Sequence, residues 1–451
     1  MSDTFSTSNY EITEAKLVNY SGSKELDIIG IITDISFEQS IDKPAWTGSI
    51  AVIDNLGVLE SFPLRGEERL DLSITSYDTN TTVDLKTQVV RIGNVVTNQT
   101  NDGVVYTISI ISRLSYEANK TIVTKSFRDQ KASTIAKKLF NEYYGKTTPN
   151  GLLTNSNNVE RFSLTDKKDK GISFYAHPTK GLLRAVIPGY SPWKSLSFLT
   201  KKAYSPNSSS SSFRFFETYD SFYWVTDEFL IKRAINNKEV INLTYEPDTS
   251  RDPKDVADQL RRIETLSNPN RVDTNSDMVN GGYKNKIIEI DLLRRKVTEN
   301  VHDFFDESIM DMDGKYKKVS ADDVIHTKEF AEDTFTDNNA MTHLLFTDYQ
   351  TNPNLEGEEA QLRGNQHYAE IISDRISYRH HLMSTSIAAT IKGRFDIQAG
   401  SLVKIELANL SSENRKQNEQ LYGNYIVHSA SHSFNQGTLN TSLKLIKYDW
   451  S

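Results

Sequence analysis

The sequence predicts an α+β fold dominated by β-strands, with two small antiparallel β-barrels and mixed α/β and insertion lobes. Short segments in which apolar and polar residues alternate fill the beginning and the end of the chain, and turn residues separate them. A helical stripe followed by two aromatic segments lies between these regions. Since 451 residues exceed what one core usually serves, we expect several domains.

The composition excludes several classes of function. The chain carries a net charge of −8 and scattered Lys and Arg residues, so no basic stripe offers a nucleic-acid surface. It has no cysteine, which excludes disulfides, thiol catalysis and cysteine-ligated zinc or iron–sulfur sites. We find neither a signal-peptide pattern nor an apolar run of about 18 residues, and therefore expect synthesis and folding in a cytoplasm.

Residues 1–117 are predicted to form the first barrel. From Leu26 to Ile111 the pattern is that of strands throughout, and the polar stretch from Asn98 to Gly103 separates two of them as in a hairpin. We interpret Gly66 as a turn position with positive φ, and Glu67 and Glu68 as a solvated turn. Many short strands without a helix indicate a small barrel or sandwich.

Residues 118–235 are predicted to form a mixed α/β domain. An apolar stripe indicates a helix from Ser126 to Tyr144, and a second helix begins at Pro192, with Trp193 expected to anchor it against an aromatic hairpin. The serine run Ser208–Ser212 is predicted to be a flexible loop, and the hairpin follows it over residues 213–225.

The remaining chain is predicted to form a discontinuous second barrel from residues 236–295 and 371–451, interrupted by an acidic insertion lobe over 296–370. A helix is expected from Pro253 to Leu266, followed by an extended segment from Ile287 to Leu293. Four alternating segments after residue 386 indicate the closing strands of the barrel. The interval from Lys296 to Asn365 is polar and irregular, so we expect it to be peripheral.

Three segments resemble the central hub proteins of contractile-tailed bacteriophage baseplates. The central segment "IPGYSPWKSLSFLTKKAYS" followed by "SSFRFFETYDSFYW" resembles the family pattern in which Pro-Trp opens a helix before a loop and a "F-F-E" strand. The segment "WTGSIAVIDNLGVLESFPLRGEERLDLSI" is similar to the family's first barrel, where a strand ending in Asp precedes a Pro-x-x-Gly-x-Glu turn.

The closing segment is also similar to the hub half of type VI secretion spike proteins. Its pattern combines a Gly-x-x-Val strand, a variable loop and the motif Gly-x-Tyr-x-Val-x-x-x-x-His. The positions that match are Gly400, Val403, Gly423, Tyr425, Val427 and His432. The acidic insertion and the serine run depart from the family pattern.

Four groups of residues are candidates for a chemical site, and two of them contain histidines. His428 and His432 would share one face of a strand but lack a third ligand for a metal. His380 and His381 would point to opposite faces of an extended segment.

The two other groups are acidic. Asp311-Met312-Asp313-Gly314 is similar to the start of a calcium loop, yet Lys315, Lys317 and Lys318 occupy positions where oxygen ligands are needed. Glu356, Glu358 and Glu359 are typical of a solvated acidic loop, although two of them could form a carboxylate pair for glycoside hydrolysis. We therefore predict no catalytic residue, no cofactor and no metal ligand.

The resemblance implies a structural baseplate hub rather than an enzyme. Such a hub is a trimeric ring that joins a hexameric tail tube to a trimeric central spike, contacts wedge proteins, and lets DNA pass through its lumen. It would be located in the virion tail and assembled in the host cytoplasm. A hub of a contractile injection system or of a prophage-derived tail is the alternative of the same class. A tail-associated cell-wall hydrolase is the alternative of another class.

Overall fold

The computed structural model describes residues 10–62, 64–76, 81–97, 103–147, 153–154, 172–207, 210–245, 256–270, 274–292, 295–311, 313–319, 328–334, 341–347, 368–407, 422–435 and 438–448. Strands dominate these residues and helices are few, which confirms the predicted β-dominated α+β class. None of the helices in the described ranges has the length and apolar character needed to cross a bilayer.

The first module is an antiparallel sheet wrapped around one core. Its elements are β1 (Tyr10–Val18), β2 (Glu25–Asp27), the 3₁₀ helix η1 (Ile29–Ile31), β3 (Ile32–Ser40), β4 (Thr47–Asp54), α1 (Val58–Ser61), β5 (Arg69–Ser76), β6 (Thr81–Thr97), β7 (Val104–Ser112) and α2 (Arg113–Ala118). The strand order is β2-β1-β5-β6-β7-β4-β3. Leu17 of β1 and Phe37 of β3 belong to the same buried cluster as Ile74 and Ile108 of the inner strands, so the sheet curls around that cluster.

The central domain contains two helices packed on short sheets. Its elements are β8 (Val123–Gln130), α3 (Ala132–Tyr143), β9 (Lys146–Thr147), β10 (Leu153–Thr154), β11 (Ser173–Ala176), β12 (Leu183–Tyr190), α4 (Pro192–Lys202), β13 (Phe213–Glu217), β14 (Ser221–Thr226) and α5 (Asp227–Asn236). The predicted start of the first helix at Ser126 is wrong. Residues 123–130 form a strand because β12 supplies backbone partners for them.

Helix α4 and the aromatic hairpin β13–β14 pack together as predicted, but around a different tryptophan. The Ser191 hydroxyl accepts a hydrogen bond from the Lys194 backbone N–H and thereby caps the helix. Trp224 of β14 is fully buried, and its indole N–H donates to the Leu196 carbonyl over 3.2 Å. Trp193 is half-buried at the border of the same cluster, so Trp224 is the anchor.

The second module is a closed barrel of six strands. They are β15 (Ile241–Tyr245), β16 (Arg262–Asn270), β22 (Ser386–Lys392), β23 (Leu402–Leu407), β24 (Gly423–Asn435) and β25 (Thr438–Lys447), and α6 (Val256–Arg261) connects the first two. The ring runs β24-β23-β15-β16-β22-β25 and returns to β24. Strand β15 is parallel to both of its neighbours, so this barrel is mixed rather than entirely antiparallel.

The helix predicted from Pro253 to Leu266 is correct only in part. Residues 256–261 are helical, whereas 262–270 form β16, and residues 253–255 lie outside the described part. Residues of β16 pair with β22, and Ile263 is buried in the barrel core. Tertiary pairing therefore outweighs the helical spacing of the apolar residues.

The insertion lobe begins before the predicted boundary at residue 296. Its elements are α7 (Thr274–Val279), β17 (Lys284–Asp291), β18 (Lys296–Asp303), the 3₁₀ helix η2 (Phe304–Asp306), β19 (Ser308–Met310), β20 (Tyr316–Lys318), α8 (Lys328–Thr334) and β21 (Met341–Thr347), with α9 (Tyr368–Ser384) packed beside them. Strand β17 pairs with β18 and β21, not with a barrel strand. Residues 287–291 of the segment assigned to the second barrel thus contribute to the lobe, and residue 293 lies outside the described part.

A shared strand joins the two modules. The first part of β24 pairs with β23 inside the closed barrel, and residues 429–435 pair with β3 of the first module. One sheet of 13 strands therefore continues from one module into the other.

Candidate functional site: the junction of the barrels and the central domain

One buried arginine joins three parts of the chain at this junction. Arg214 of β13 donates through Nε to Asp227 Oδ1 over 2.6 Å and through a terminal nitrogen to Asp227 Oδ2 over 3.2 Å. Its other terminal nitrogen donates to Asp42, which follows β3. Asp42 Oδ2 lies 2.8 Å from His428 Nε2 on β24. The central hairpin, the first module and the second barrel therefore meet in one ionic network.

The charges in this network shift the pKa values of Asp42 and Arg214. Burial favours the neutral form of Asp42, but the hydrogen bond from His428 and the charge of Arg214 outweigh it and hold the pKa of Asp42 well below its usual range. Burial would lower the pKa of Arg214, whereas the carboxylates of Asp227 and Asp42 raise it. The arginine is thus charged and fully engaged, as a buried ion pair requires.

The described part of the serine run, residues 210–212, belongs to the same junction and is not a flexible loop. Ser210, Ser211 and Ser212 are buried, and the Ser210 hydroxyl donates to Glu228 over 2.5 Å. The Ser212 hydroxyl donates to Asp227 over 2.8 Å and accepts from Arg379 Nε at 3.0 Å. The prediction from composition was wrong because these hydroxyls satisfy buried carboxylates; residues 208 and 209 lie outside the described part.

A second buried carboxyl links the hairpin to the first module. Glu217 ends β13, and its two oxygens accept hydrogen bonds from the Ser112 hydroxyl at 2.5 Å and the Ser115 hydroxyl at 2.6 Å. Burial raises the pKa of Glu217 to about 8, although both hydroxyls favour the charged form. This residue is the Glu of the "F-F-E" motif that the sequence singled out.

The motif residues of the closing domain are structural. Gly400 has a φ of +83°, and a Cβ at this position would lie 3.0 Å from the Phe216 ring. Tyr425 and Val427 face the barrel core. His432 is buried, and its Nδ1 lies 3.0 Å from Thr441 Oγ1; burial lowers its pKa to about 4.

Comparisons with known proteins agree with this architecture. Among solved structures, the chain superposes on the tail protein from Neisseria meningitidis MC58 with a TM-score of 0.53 and 10% identity, covering 97% of each chain. The chain has a tail-protein fold. The resemblance drawn from the sequence is therefore confirmed at the level of the fold. No family model matches the sequence, and no curated protein matches it either.

Two further solved structures superpose with scores below 0.5, which is too low to support an argument about function. The 43 kDa tail protein of prophage MuSo2 from Shewanella oneidensis gives a TM-score of 0.48 at 10% identity, with 96% of this chain and 98% of that chain covered. A chain of the half-lidded Francisella PdpA–VgrG complex gives 0.44 at 13% identity, with 97% and 58% covered.

Within this tail-protein fold, the histidines predicted as candidates do not form a site. His428 bonds Asp42, whereas His432 is buried against Thr441 beyond a register shift in β24, so the two contact different groups. His380 and His381 lie in helix α9, not in an extended segment, and His381 packs on the Phe304 ring at 5.1 Å between centroids.

Of the acidic candidates, the structure describes the segment around Asp311, which forms a hydrogen-bonded turn. Asp311 Oδ1 accepts from the backbone N–H groups of Asp313 at 3.0 Å and Lys315 at 2.7 Å, which closes the turn between β19 and β20 around Gly314. Glu356, Glu358 and Glu359 lie outside the described residues.

A half-open cleft of about 390 Å³ lies between α5 and the loop before β23. Arg233 in this cleft stacks on Tyr175 at 4.3 Å and bonds the Tyr223 hydroxyl at 2.9 Å. Asp396, on the opposite wall, binds the guanidinium of Arg394. Arg233 and Asp396 are thus already engaged within the protein, as is typical of a structural cleft.

Sequence reasoning missed one cluster in the insertion lobe. His302, Glu307 and Asp374 place one ligand atom each within 4.8 Å of one another. Burial lowers the pKa of His302 to about 4 and raises the pKa of Glu307. Asp374 is 72 residues from His302 in the sequence, so no motif spacing could have joined the three.

Proposed function

We propose that this chain is the structural hub subunit of a contractile tail baseplate. In this proposal three copies form a ring that joins a hexameric tail tube to a trimeric central spike. The observation that carries the proposal is the pair of β modules joined by β3 and β24. The tail-protein fold supports it.

Two β modules in each chain would let a ring of three chains contact both a hexameric tail tube and a trimeric spike. A threefold axis repeats both modules of the chain and so generates six β modules around one lumen. A hexameric tube could then meet one module per subunit, while the spike keeps the threefold axis. Ring closure also covers strand edges that would otherwise be exposed to uncontrolled pairing.

The junction suits a subunit that must transmit force without bending. Arg214 and Glu217 tie the central hairpin to the first module, and the shared strand β24 ties that module to the barrel. Relative motion of the modules would separate buried Arg214 from Asp42 and buried Glu217 from its hydroxyl partners, and buried polar groups without partners are unfavourable. We therefore propose a mechanical rather than catalytic role, with tube, spike and wedge proteins as partners in the virion tail and DNA only in transit through the lumen.

One row of exposed apolar side chains is a candidate contact between copies in this ring. Val96, Val105 and Ile53 lie side by side on β6, β7 and β4, with 60%, 40% and 47% of their surfaces exposed. Adjacent exposed apolar residues of this kind mark interaction surfaces. The proposed occupant is a second copy of the chain, since the ring requires two such contacts per subunit.

Co-expression with the spike chain of the same tail, followed by native mass spectrometry, tests the proposal. The expected complex contains three spike chains and three copies of this 51.2 kDa chain, about 154 kDa in all from the hub. A complex with one or two copies per three spike chains would exclude the ring. The hub of a contractile injection system or of a prophage-derived tail would also bind as three copies per three spike chains, so this experiment does not separate these alternatives. A cell-wall hydrolase would instead clear peptidoglycan in a zymogram.

A further inference from the structure

Three different elements bring a histidine and two carboxylates together beside α9. His302 is near the end of β18, Glu307 directly follows η2, and Asp374 lies in α9. His302 Nδ1 is 3.2 Å from Asp374 Oδ1 and 3.5 Å from Glu307 Oε1. The His302 side chain is only 10% exposed, whereas those of Glu307 and Asp374 are 31% and 23% exposed, so the cluster is partly buried with its carboxylates towards solvent.

We propose that His302, Glu307 and Asp374 bind one divalent transition-metal ion of the Zn²⁺ class. Zinc binds imidazole nitrogen and carboxylate oxygen at about 2.0–2.2 Å, so neighbouring ligand atoms of a tetrahedral site are about 3.3 Å apart. The distances from His302 Nδ1 to Asp374 Oδ1 and to Glu307 Oε1, 3.2 Å and 3.5 Å, lie on either side of this value. A hydrogen bond of 3.5 Å would be long, because N–H···O bonds are usually about 2.9 Å.

The chemistry of the ligands selects the ion. Imidazole favours zinc and related transition ions, whereas magnesium and calcium prefer sites built from oxygen alone. Two carboxylates would balance the double charge of the ion. Three protein ligands leave the fourth position to water, as in open zinc sites.

Asn285 positions two of the three ligands. It lies directly opposite His302 in the β17–β18 pair. Its side-chain amide donates to the Ser377 hydroxyl at 3.0 Å and to the Ser373 carbonyl at 3.4 Å, on either side of Asp374 in sequence. The strand that carries His302 is therefore fixed against the helix that carries Asp374.

The segment that carries Glu307 is fixed as well. Asp303 accepts a hydrogen bond from the Phe305 backbone N–H at 3.0 Å, and the Val319 backbone N–H donates to the Glu307 carbonyl at 3.0 Å. Phe304 and Val319 are buried in the small core of the lobe. Such support holds ligands near the geometry that a metal requires.

A bound ion would attach the lobe to the central domain. Helix α9 also carries Arg375, which donates to the Lys201, Ala203 and Ser211 carbonyls at 3.0, 3.1 and 3.1 Å. The ion would therefore cross-link β18 and η2 to a helix that the central domain already holds. Removing it should loosen the lobe while the barrels remain folded.

The test uses untagged full-length protein that has been treated with a chelator and dialysed. Competition with a chromophoric zinc indicator should give one tight Zn²⁺ equivalent per chain, with Ca²⁺ unable to displace it. Asp374→Asn and Glu307→Gln keep the shape of each side chain and should weaken Zn²⁺ binding by more than about tenfold, the smallest loss seen even for supporting residues. Asp306→Asn is the matched control, because Asp306 neighbours Glu307 but its side chain is 79% exposed.

Failure of the wild-type protein to bind Zn²⁺ would overturn the assignment, whatever the folding of the variants. Equal affinity in the wild-type protein and both carboxylate variants would overturn it too, since another group would then be the ligand. Displacement of Zn²⁺ by Ca²⁺ at similar concentration would exclude a transition-metal site. Zn²⁺ should also raise the thermal midpoint of the wild-type protein and the Asp306→Asn control, but not that of Asp374→Asn. None of these results depends on ring formation.

Discussion

Replacing Glu217 with glutamine should remove a large pH dependence from the stability of the chain. The carboxyl is buried where the central hairpin meets the first module, and its pKa is about 8 against an ordinary value of 4.5. At a pH between 4.5 and about 8, Glu217 is therefore protonated in the folded chain and ionised in the unfolded chain. The contribution of Glu217 to stability is therefore full below pH 4.5 and is lost as the pH rises to about 8.

The size of the effect follows from the displacement of the pKa. One pKa unit corresponds to about 1.36 kcal/mol, so this carboxyl should lower the free energy of unfolding by about 4 kcal/mol between pH 5 and pH 9. Glutamine stays neutral and can still bond Ser112 and Ser115, because either hydroxyl can accept from its amide. The Glu217→Gln variant should therefore be close to the wild-type protein at pH 5 and clearly more stable at pH 9.

Urea unfolding of both proteins at pH 5, 7 and 9 measures this difference. Buried histidines titrate in both proteins, so the difference between the two profiles isolates Glu217. Glu60→Gln, at an exposed site, is the matched control and should follow the wild-type profile. Parallel profiles for the wild-type protein and Glu217→Gln would refute the argument, because the carboxyl would then ionise as freely in the folded chain as in the unfolded one.

Three further predictions concern packing, assembly and backbone geometry. Trp224→Ala should lower stability by about 3–5 kcal/mol in chemical denaturation, and Trp193→Ala by clearly less, because only Trp224 is fully buried; equal losses would contradict this. Val105→Glu should prevent ring formation in native mass spectrometry without lowering the thermal midpoint, whereas Val186→Glu, at an exposed position of β12, should leave the ring intact. Gly400→Ala should lower stability by about 1–2 kcal/mol in thermal unfolding, since its φ is +83°; an unchanged midpoint would show that the loop relaxes.

The class of fold and most of its strands could be predicted from the amino-acid sequence alone. Alternation of period two placed the closing strands near residues 386, 402, 423 and 438, because one face of each strand must be buried. The order of the motifs also indicated a tail-protein fold, which the structural comparison supports.

The features that depend on distant partners emerged only in the folded chain. Residues 126–130 and 262–266 belong to segments that the sequence predicts as helices, but they form strands because β12 and β22 supply hydrogen bonds from distant parts of the chain. The serine run has the composition of a linker, yet carboxylates 15 to 18 residues away order its hydroxyls. The cluster of His302, Glu307 and Asp374 joins residues from a strand, a turn and a later helix. Local propensity is a property of neighbouring residues, whereas these polar groups are stabilised only by partners that the folded chain brings near.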